Sequence, residues 1–232
     1  MEQKRILLKL SGEYVSKENG TGIDFDKMLE IAKIIKKVTE QGLEIAIVIG
    51  GGNFWRGRTN HMMDSCTSDY IGMLATTMNA LALNDALKQV GVDSRVQTSI
   101  EMRQIAELYI RDRTLKHLDK KRVVVFGCGT GSPYFSTDTA AALRALEIKA
   151  DIILKATNVD YVYTKDPRKY SDFEIIKETN HLRVIKDKLR VMDLTAISLC
   201  MDNNIPIRVF NINNLENLEK ALMGEDIGTL IK

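Results

Sequence analysis

Cysteine, proline and excess charge are all scarce in this chain, and each scarcity narrows what it can be. The three cysteines, Cys66, Cys128 and Cys200, are an odd number with no CxxC spacing. That argues against a disulfide framework and against a zinc cluster, and it fits a reducing compartment. The formal net charge is only +2 over 232 residues, so no whole-molecule field draws the chain to nucleic acid or to an anionic membrane. Any anion site must be built locally. No uninterrupted apolar run approaches the ~18 residues of a membrane span. The opening MEQKRILLKLSGEY has too short an apolar stretch for a signal peptide and no small-residue cleavage pattern. The expectation is a cytoplasmic protein without a membrane or nucleic-acid partner.

What is present is an ordinary apolar share of 44%, laid out as short β-rich runs alternating with helix-period segments. Arg5 to Ser11 reads as a strand, and Asp24 to Gln41 as a helix with Met28, Ile31, Ile34, Ile35 and Val38 on one face and Gly42 as its stop. The run from Leu43 to Gly50 is apolar at nearly every position, as for a strand buried on both faces. The pattern then predicts a long helix over 69–90 ended by Gly91, a strand in VDSRVQ, a helix over 102–117, and a strand over 122–127. It continues with a helix over 137–146, a strand over 150–156, a helix over 192–203, the strand PIRVFN, and a helix over 215–223. All three prolines (Pro133, Pro167, Pro206) fall outside the helical segments, as their missing N–H requires. Repeated βαβ units predict a three-layer α/β sandwich around a mainly parallel open sheet, read as one domain over 1–232.

In such sheets, ligands lie beyond the carboxyl ends of the strands, and three loops there are rich in glycine and hydroxyls. The first follows Lys9 as Leu10-Ser11-Gly12. The second is Gly50-Gly51-Gly52-Asn53, with Arg56 and Arg58 close behind. The third runs from Gly127 through Cys128, Gly129, Thr130, Gly131 and Ser132 to Ser136-Thr137-Asp138 at a helix start. Glycine lets backbone N–H groups approach a phosphate, and a helix N-terminus adds partial positive charge. One such loop is usually only a tight turn; three at one sheet edge point to phosphate. Neither GxGxxG with its acidic follower nor GxxxxGK[ST] is present. Lys9, between Leu8 and Leu10 in an apolar strand, needs an anionic partner if it points inward. Asp69 and Asp193 are candidates, although both could be helix caps.

The motifs KLSG, GGGN-x-x-RG, D-x-x-GMLAT-x-MN (Asp69 to Asn79), GTG-x-P-x-F-x-TDTAAALRA (Gly129 to Ala145), LKAT-x-VD (Leu154 to Asp160), Y-x-x-DP (Tyr163 to Pro167) and VMD (Val191 to Asp193) resemble the amino acid kinase family. Taken together they are most similar to its bacterial branch acting on UMP. The resemblance runs in order along essentially the whole chain. It implies Mg²⁺ and ATP as cofactors, UMP as acceptor, UDP as product, a homohexamer, and UTP as a feedback inhibitor. By position, Lys9 would touch the transferring phosphates, cradled by Ser11 and Gly12. Gly52 and Arg56 would lie on the ATP side, and Gly51 against the UMP phosphate. Asp69 would hold the ribose hydroxyls of UMP. The segment Thr130, Gly131, Ser132, Pro133, Tyr134, Phe135, Ser136 and Thr137 would wrap uracil and phosphate. Thr157, Asn158, Tyr163 and Asp166 would receive the adenine nucleotide, and Asp193 would orient Lys9. Lys9, Arg56 and Asp193 form the implied catalytic set, with no protein metal ligand assigned.

Phosphoryl transfer chiefly needs positioning and charge neutralisation. An acceptor phosphate is already anionic, so no general base is required. His61, His117 and His181 are accordingly expected at the surface. Several positions depart from the family pattern. Ser132 stands for an asparagine that helps read uracil, Cys128 for a loop glycine, and Tyr161 for the glycine of VDG. Asn84 and Lys88 replace an arginine and a histidine tied to GTP activation, although Arg95 is kept, so weak or absent GTP activation is expected. One competing reading is a relative that phosphorylates a carboxylate or carbamate, against which the Asp69 and Thr130–Thr137 segments argue; the other is a non-catalytic nucleotide-binding storage or regulatory assembly on the same fold.

Overall fold

The computed structural model describes residues 4–56, 62–165, 167 and 169–232. In chain order the elements are β1 (Arg5–Leu10), α1 (Phe25–Thr39), β2 (Glu44–Ile49), α2 (Ser65–Gln89), β3 (Ser94–Thr98), β4 (Glu107–Leu108), α3 (Arg111–Asp119), β5 (Val123–Gly127) and α4 (Thr137–Glu147). They continue with β6 (Ile152–Thr157), β7 (Val162–Tyr163), β8 (Ile175–Ile176), β9 (Glu178–Thr179), α5 (His181–Lys186), α6 (Leu194–Asp202), β10 (Ile207–Asn211), α7 (Glu216–Leu222) and β11 (Thr229–Ile231). Nine strands form one sheet in the order β4-β3-β5-β2-β1-β6-β10-β11-β9, and β7 and β8 pair separately. Among the described residues, only β10–β11 is antiparallel within the large sheet. The expected mainly parallel architecture is therefore observed.

Side-chain alternation assigns each strand residue to one of two cores. In β1, Ile6, Leu8 and Leu10 face the core built with α1, α2 and α7, whereas Leu7 faces the core built with α4 and α6. β2 is buried at every position because helices cover both faces. Helix α1 buries Met28, Ile31, Ala32, Ile35 and Val38, the larger of these contributing ~1.5–3 kcal/mol each. Its start is fixed by Asp24, which accepts from Lys27 N. Gly42 (φ 93°) and Gly91 (φ 86°) then supply left-handed turns into the next strands.

Three expectations need correction. The helix read over 102–117 begins only at Arg111. Upstream, Glu107 and Leu108 pair with Gln97 and Thr98, extending the sheet. Here strand pairing at the sheet edge outweighs helical spacing. The helix read from 69 starts at Ser65, capped by Asp64 through Thr67 N, so Asp69 lies within its second turn. The histidines differ as well: His61 lies outside the described residues, but His117 and His181 are buried. His117 Nε2 sits 2.9 Å from Glu107 Oε2, and His181 Nε2 donates to Ile205 O at 3.0 Å.

Burial holds His181 below the ordinary histidine range, only partly offset by its bond to Ile205. The unfolded chain therefore binds this proton first as pH falls. The stability held by neutral His181 is complete above ~6.5 and declines as pH drops through that value. Thermal unfolding at pH 7.5 and 5.5 should show a larger loss on acidification for the wild-type chain than for His181→Gln. Equal losses would remove His181 as the cause.

Candidate active site

Lys9 and Lys155 occupy matching positions on neighbouring strands, for β1 and β6 pair in parallel with Lys9 opposite Lys155. By alternation both point to the face covered by α4 and α6. Two buried ammonium groups side by side require a counter-charge, and the first turn of α4 supplies it. Asp138 Oδ1 lies 2.7 Å from Lys9 Nζ, and Oδ2 lies 2.6 Å from Lys155 Nζ. Lys155 also donates to Val191 O. Burial pushes the Asp138 carboxyl up, but the two ammonium groups outweigh this and hold it below the usual carboxylate range. Lys155 is pulled down by burial and by Lys9, against the pull of Asp138. Ionised Asp138 is the direction geometry supports, since both its oxygens face cations. Asp138 Oδ1 is nevertheless buried without a directed hydrogen bond, so its contact with Lys9 is an ion contact only.

This corrects the sequence reading of Lys9: its partner is Asp138, not Asp69 or Asp193. Asp193 is committed elsewhere. It caps α6 through Ala196 N at 2.9 Å and accepts from Thr139 Oγ1 at 2.9 Å and from Ser136 Oγ. It thus ties the start of α4, which carries Asp138, to the start of α6. Asp69 Oδ2 accepts from Tyr134 N at 2.7 Å, which pins the loop after β5 to α2.

Four clefts lie along the loops that follow β1, β2, β5 and β6, and both lysines line one of them. One, of about 480 Å³, is lined by Lys9, Ser11, Glu13, Tyr14, Lys155, Ala156, Thr157, Asn158, Ile212 and Asn213. It adjoins, through Thr157, a cleft of about 390 Å³ holding Tyr161, Tyr163, Tyr170, Lys165 and the segment from Asp187 to Val191. On the α2 side, about 250 Å³ is bounded by Gly51, Gly52, Trp55, Asp69, Gly129, Phe135, Ser136 and Thr137. A fourth, about 360 Å³, shares Asp69, Phe135 and Ser136 with it and reaches Asp193.

The glycine loops meet because side chains are missing there. A Cβ on Gly12 would lie 2.5 Å from Gly50 O, and one on Gly51 would lie 2.8 Å from Ala75 Cβ and 3.0 Å from Gly72 O. Arg56 spans the same loops, pairing with Glu13 at 2.9 Å.

Residues 4–211 match the amino acid kinase family. The chain belongs to the amino acid kinase family. Among solved structures, the UMP kinase from Bacillus anthracis is 36% identical, with TM-score 0.95, over 100% of this chain and 97% of that one. The UMP kinase from Ureaplasma parvum is 34% identical, with TM-score 0.93 and 100% of both chains covered. The uridylate kinase from Archaeoglobus fulgidus is 29% identical, with TM-score 0.73, over 98% and 99%.

The structure brings most of the sequence-predicted residues to these clefts, but not all. Gly12, Arg56, Thr130, Gly131, Ser132 and Pro133 line none of the four, and Ser132 N–H instead closes a small turn on Thr130 Oγ1 at 3.2 Å. Tyr134 is 76% exposed and adopts φ 69°. Asp166 and Arg58 lie outside the described residues. Cys128 is buried at φ 61°, a backbone conformation that favours glycine. Its N–H donates to Thr76 Oγ1 at 2.9 Å. Sequence reasoning missed Asp138 and Lys155. Lys155 sits in the apolar strand IILKAT just as Lys9 sits in RILLKL, and the same argument would have found it. Among the described residues no helix is long and apolar enough to cross a membrane.

Proposed function

We propose that this chain is a UMP kinase, transferring the terminal phosphoryl group of ATP to UMP. The observation that carries the reading is the Lys9–Asp138–Lys155 triad between two families of cleft, together with full-length similarity to two UMP kinases. The Lys9 cleft and the tyrosine-lined cleft suit a nucleoside triphosphate, with its phosphates toward the lysines and its base toward Tyr163. The cleft of Gly51, Asp69 and Thr137 suits the acceptor nucleotide, and Asp69 can receive hydroxyl donors.

Among the described residues no group of three His, Cys, Asp or Glu side chains could hold a metal. Mg²⁺ would be carried in on ATP, since this ion is commonly held by substrate phosphates and few protein ligands. Such an ion would neutralise phosphate charge at the site. The chain's own part is positional and electrostatic. An oxygen of the UMP phosphate bonds to the γ-phosphorus while the bond from that phosphorus to the β–γ bridging oxygen breaks, leaving ADP. Lys9 and Lys155 offset the negative charge shifting onto the bridging oxygen. Asp138 keeps both ammonium groups aimed, and Asp193 acts through α4 rather than on Lys9. A single domain, a homohexameric assembly, feedback by UTP and a cytoplasmic setting belong to the same proposal. Self-association is supported by exposed Tyr70, Leu74 and Met78, spaced four apart on α2.

A coupled ADP-release assay with Mg²⁺, ATP and a panel of UMP, CMP, dTMP, carbamate and acetylglutamate tests the reading. Turnover is expected with UMP, falling about 10²–10³-fold or more in Lys9→Ala, with UMP affinity little changed. Turnover on CMP as well would fit the position of Ser132 outside the clefts. ATP binding without phosphorylation of any acceptor would overturn the proposal in favour of a nucleotide-binding assembly.

A further inference from the structure

We propose that Asn79 is a positioning residue for phosphoryl transfer, its amide pairing with that of Asn53 to set the Gly50–Gly52 turn against α2. The inference rests on the kinase reading of the cleft that this turn borders.

Asn79 lies in the interior of α2 and is completely buried. Its neighbours on the core side, Ala80, Leu83 and Ala86, are apolar, so packing alone would favour a leucine-like side chain here. A buried amide left unpaired is costly; this one is completely paired. Asn79 Nδ2 donates to Gly50 O and to Asn53 Oδ1, each at 2.7 Å. Asn53 Nδ2 donates back to Asn79 Oδ1 at 3.0 Å and to Gly22 O at 2.7 Å. All four amide hydrogens of the pair are thereby used.

Orientation follows from this count. Gly50 O and Gly22 O can only accept, so rotating either amide would set oxygen against oxygen. The pair therefore has one arrangement, and it joins three segments: the approach to α1 at Gly22, the turn after β2, and the middle of α2. The same turn is confined from its other side, because Gly12 N would lie only 3.2 Å from a Cβ on Gly50. Gly51 and Gly52, next in the chain, form a wall of the cleft that also holds Asp69 and Thr137. Without the amide pair, the turn keeps its close approach to α2 at Ala75 but loses what fixes the direction of its peptide groups. Loss of direction in a phosphate-facing turn weakens binding and alignment, not folding.

The test compares wild type with Asn79→Leu, Asn79→Asp and Asn53→Ala. Steady-state kinetics for UMP and ATP are read beside hydrogen exchange of the 50–54 amides and of strands β1 and β5. Asn79→Leu fills similar space but leaves Gly50 O and part of the buried Asn53 amide unpaired, so its thermal midpoint should fall by a few degrees while its strands stay protected. Its kcat/KM for UMP should fall at least tenfold while KM for ATP changes less than threefold. Exchange at 50–54 should quicken at least tenfold. Asn79→Asp, which turns a carboxylate oxygen on Gly50 O, should be worse than Asn79→Leu. If position 79 tolerates neither change in folding, Asn53→Ala alters the pair from the loop side and must show the same split. Kinetics within threefold of wild type, or exchange that rises equally in β1 and β5, would overturn the proposal. If wild type phosphorylates no nucleotide, the functional reading falls, and the exchange comparison still decides whether the pair positions the turn.

Discussion

Asp138→Asn is expected to bind ATP more tightly than the wild-type chain and to turn it over at least a hundredfold more slowly. Both effects come from the same geometry. Lys9 and Lys155 are ladder neighbours on adjacent strands, about 5 Å apart by sheet geometry. At an effective dielectric of about 20, two unit charges at that separation repel by ~3 kcal/mol. Asp138 offsets this repulsion through contacts of 2.7 and 2.6 Å, and a neutral amide cannot. The mutant should therefore lose stability without ligand, by ~3 kcal/mol if breaking a buried pair is the guide. A polyphosphate brings the missing negative charge, so ATP should raise the thermal midpoint of Asp138→Asn by more than it raises that of wild type. Turnover should nonetheless fall, because lysines released from the carboxylate settle on the bound phosphates and no longer follow the charge as it shifts. Calorimetric ATP affinity and kcat, measured on the same preparation, check the two halves. Unchanged turnover in Asp138→Asn would show that the triad is only a structural ion cluster.

Gly12→Ala is expected to cut turnover about a hundredfold although it adds a single carbon. That carbon would lie 2.5 Å from Gly50 O, 2.6 Å from Asn53 Oδ1 and 2.9 Å from Gly52 N. Two of the three are backbone atoms, and the third belongs to a buried amide with no free rotamer, so the loops after β1 and β2 must move apart. Overpacking of this kind costs ~1–3 kcal/mol, which the large sheet can absorb. A shift of ~1 Å between the two phosphate-facing loops is enough to cost about a hundredfold in rate. Gly42→Ala is the matched control. Its φ of +93° makes alanine strained, yet nothing lies within 4 Å of the added carbon, and it precedes β2, at the edge opposite the clefts. It should lower the melting temperature comparably and leave kcat/KM alone. Comparable kinetics for the two variants would mean that the contact at Gly12 does not govern alignment.

The layered fold was legible because long elements carry their own period. Met28, Ile31, Ile35 and Val38 announce α1, and the unbroken burial of β2 is plain from its composition. Elements of two residues have no period to read, so β4, β7, β8 and β9 left no signal, and Met102 to Ile110 passed for helix. The clefts were legible where glycines crowd together and illegible where chemistry depends on strand register. Asp138 resembles an ordinary first-turn acid of α4, and only the pairing of β1 with β6 shows that two lysines converge on it. His117 and His181 were misjudged for a related reason: their polar neighbours in sequence say nothing of Glu107 or Ile205 across the fold.

The two cations of the site stand on a ruler marked in whole residues. Their spacing is set by the rung that joins β1 to β6, and hydrogen-bonded rungs admit no fractions. Sliding β6 by one residue would carry Lys155 through the sheet to the α1 side, and sliding it by two would displace it ~6.6 Å along the strand. Loops around the clefts can drift by degrees, residue by residue, whereas the separation of these charges can only be kept or lost.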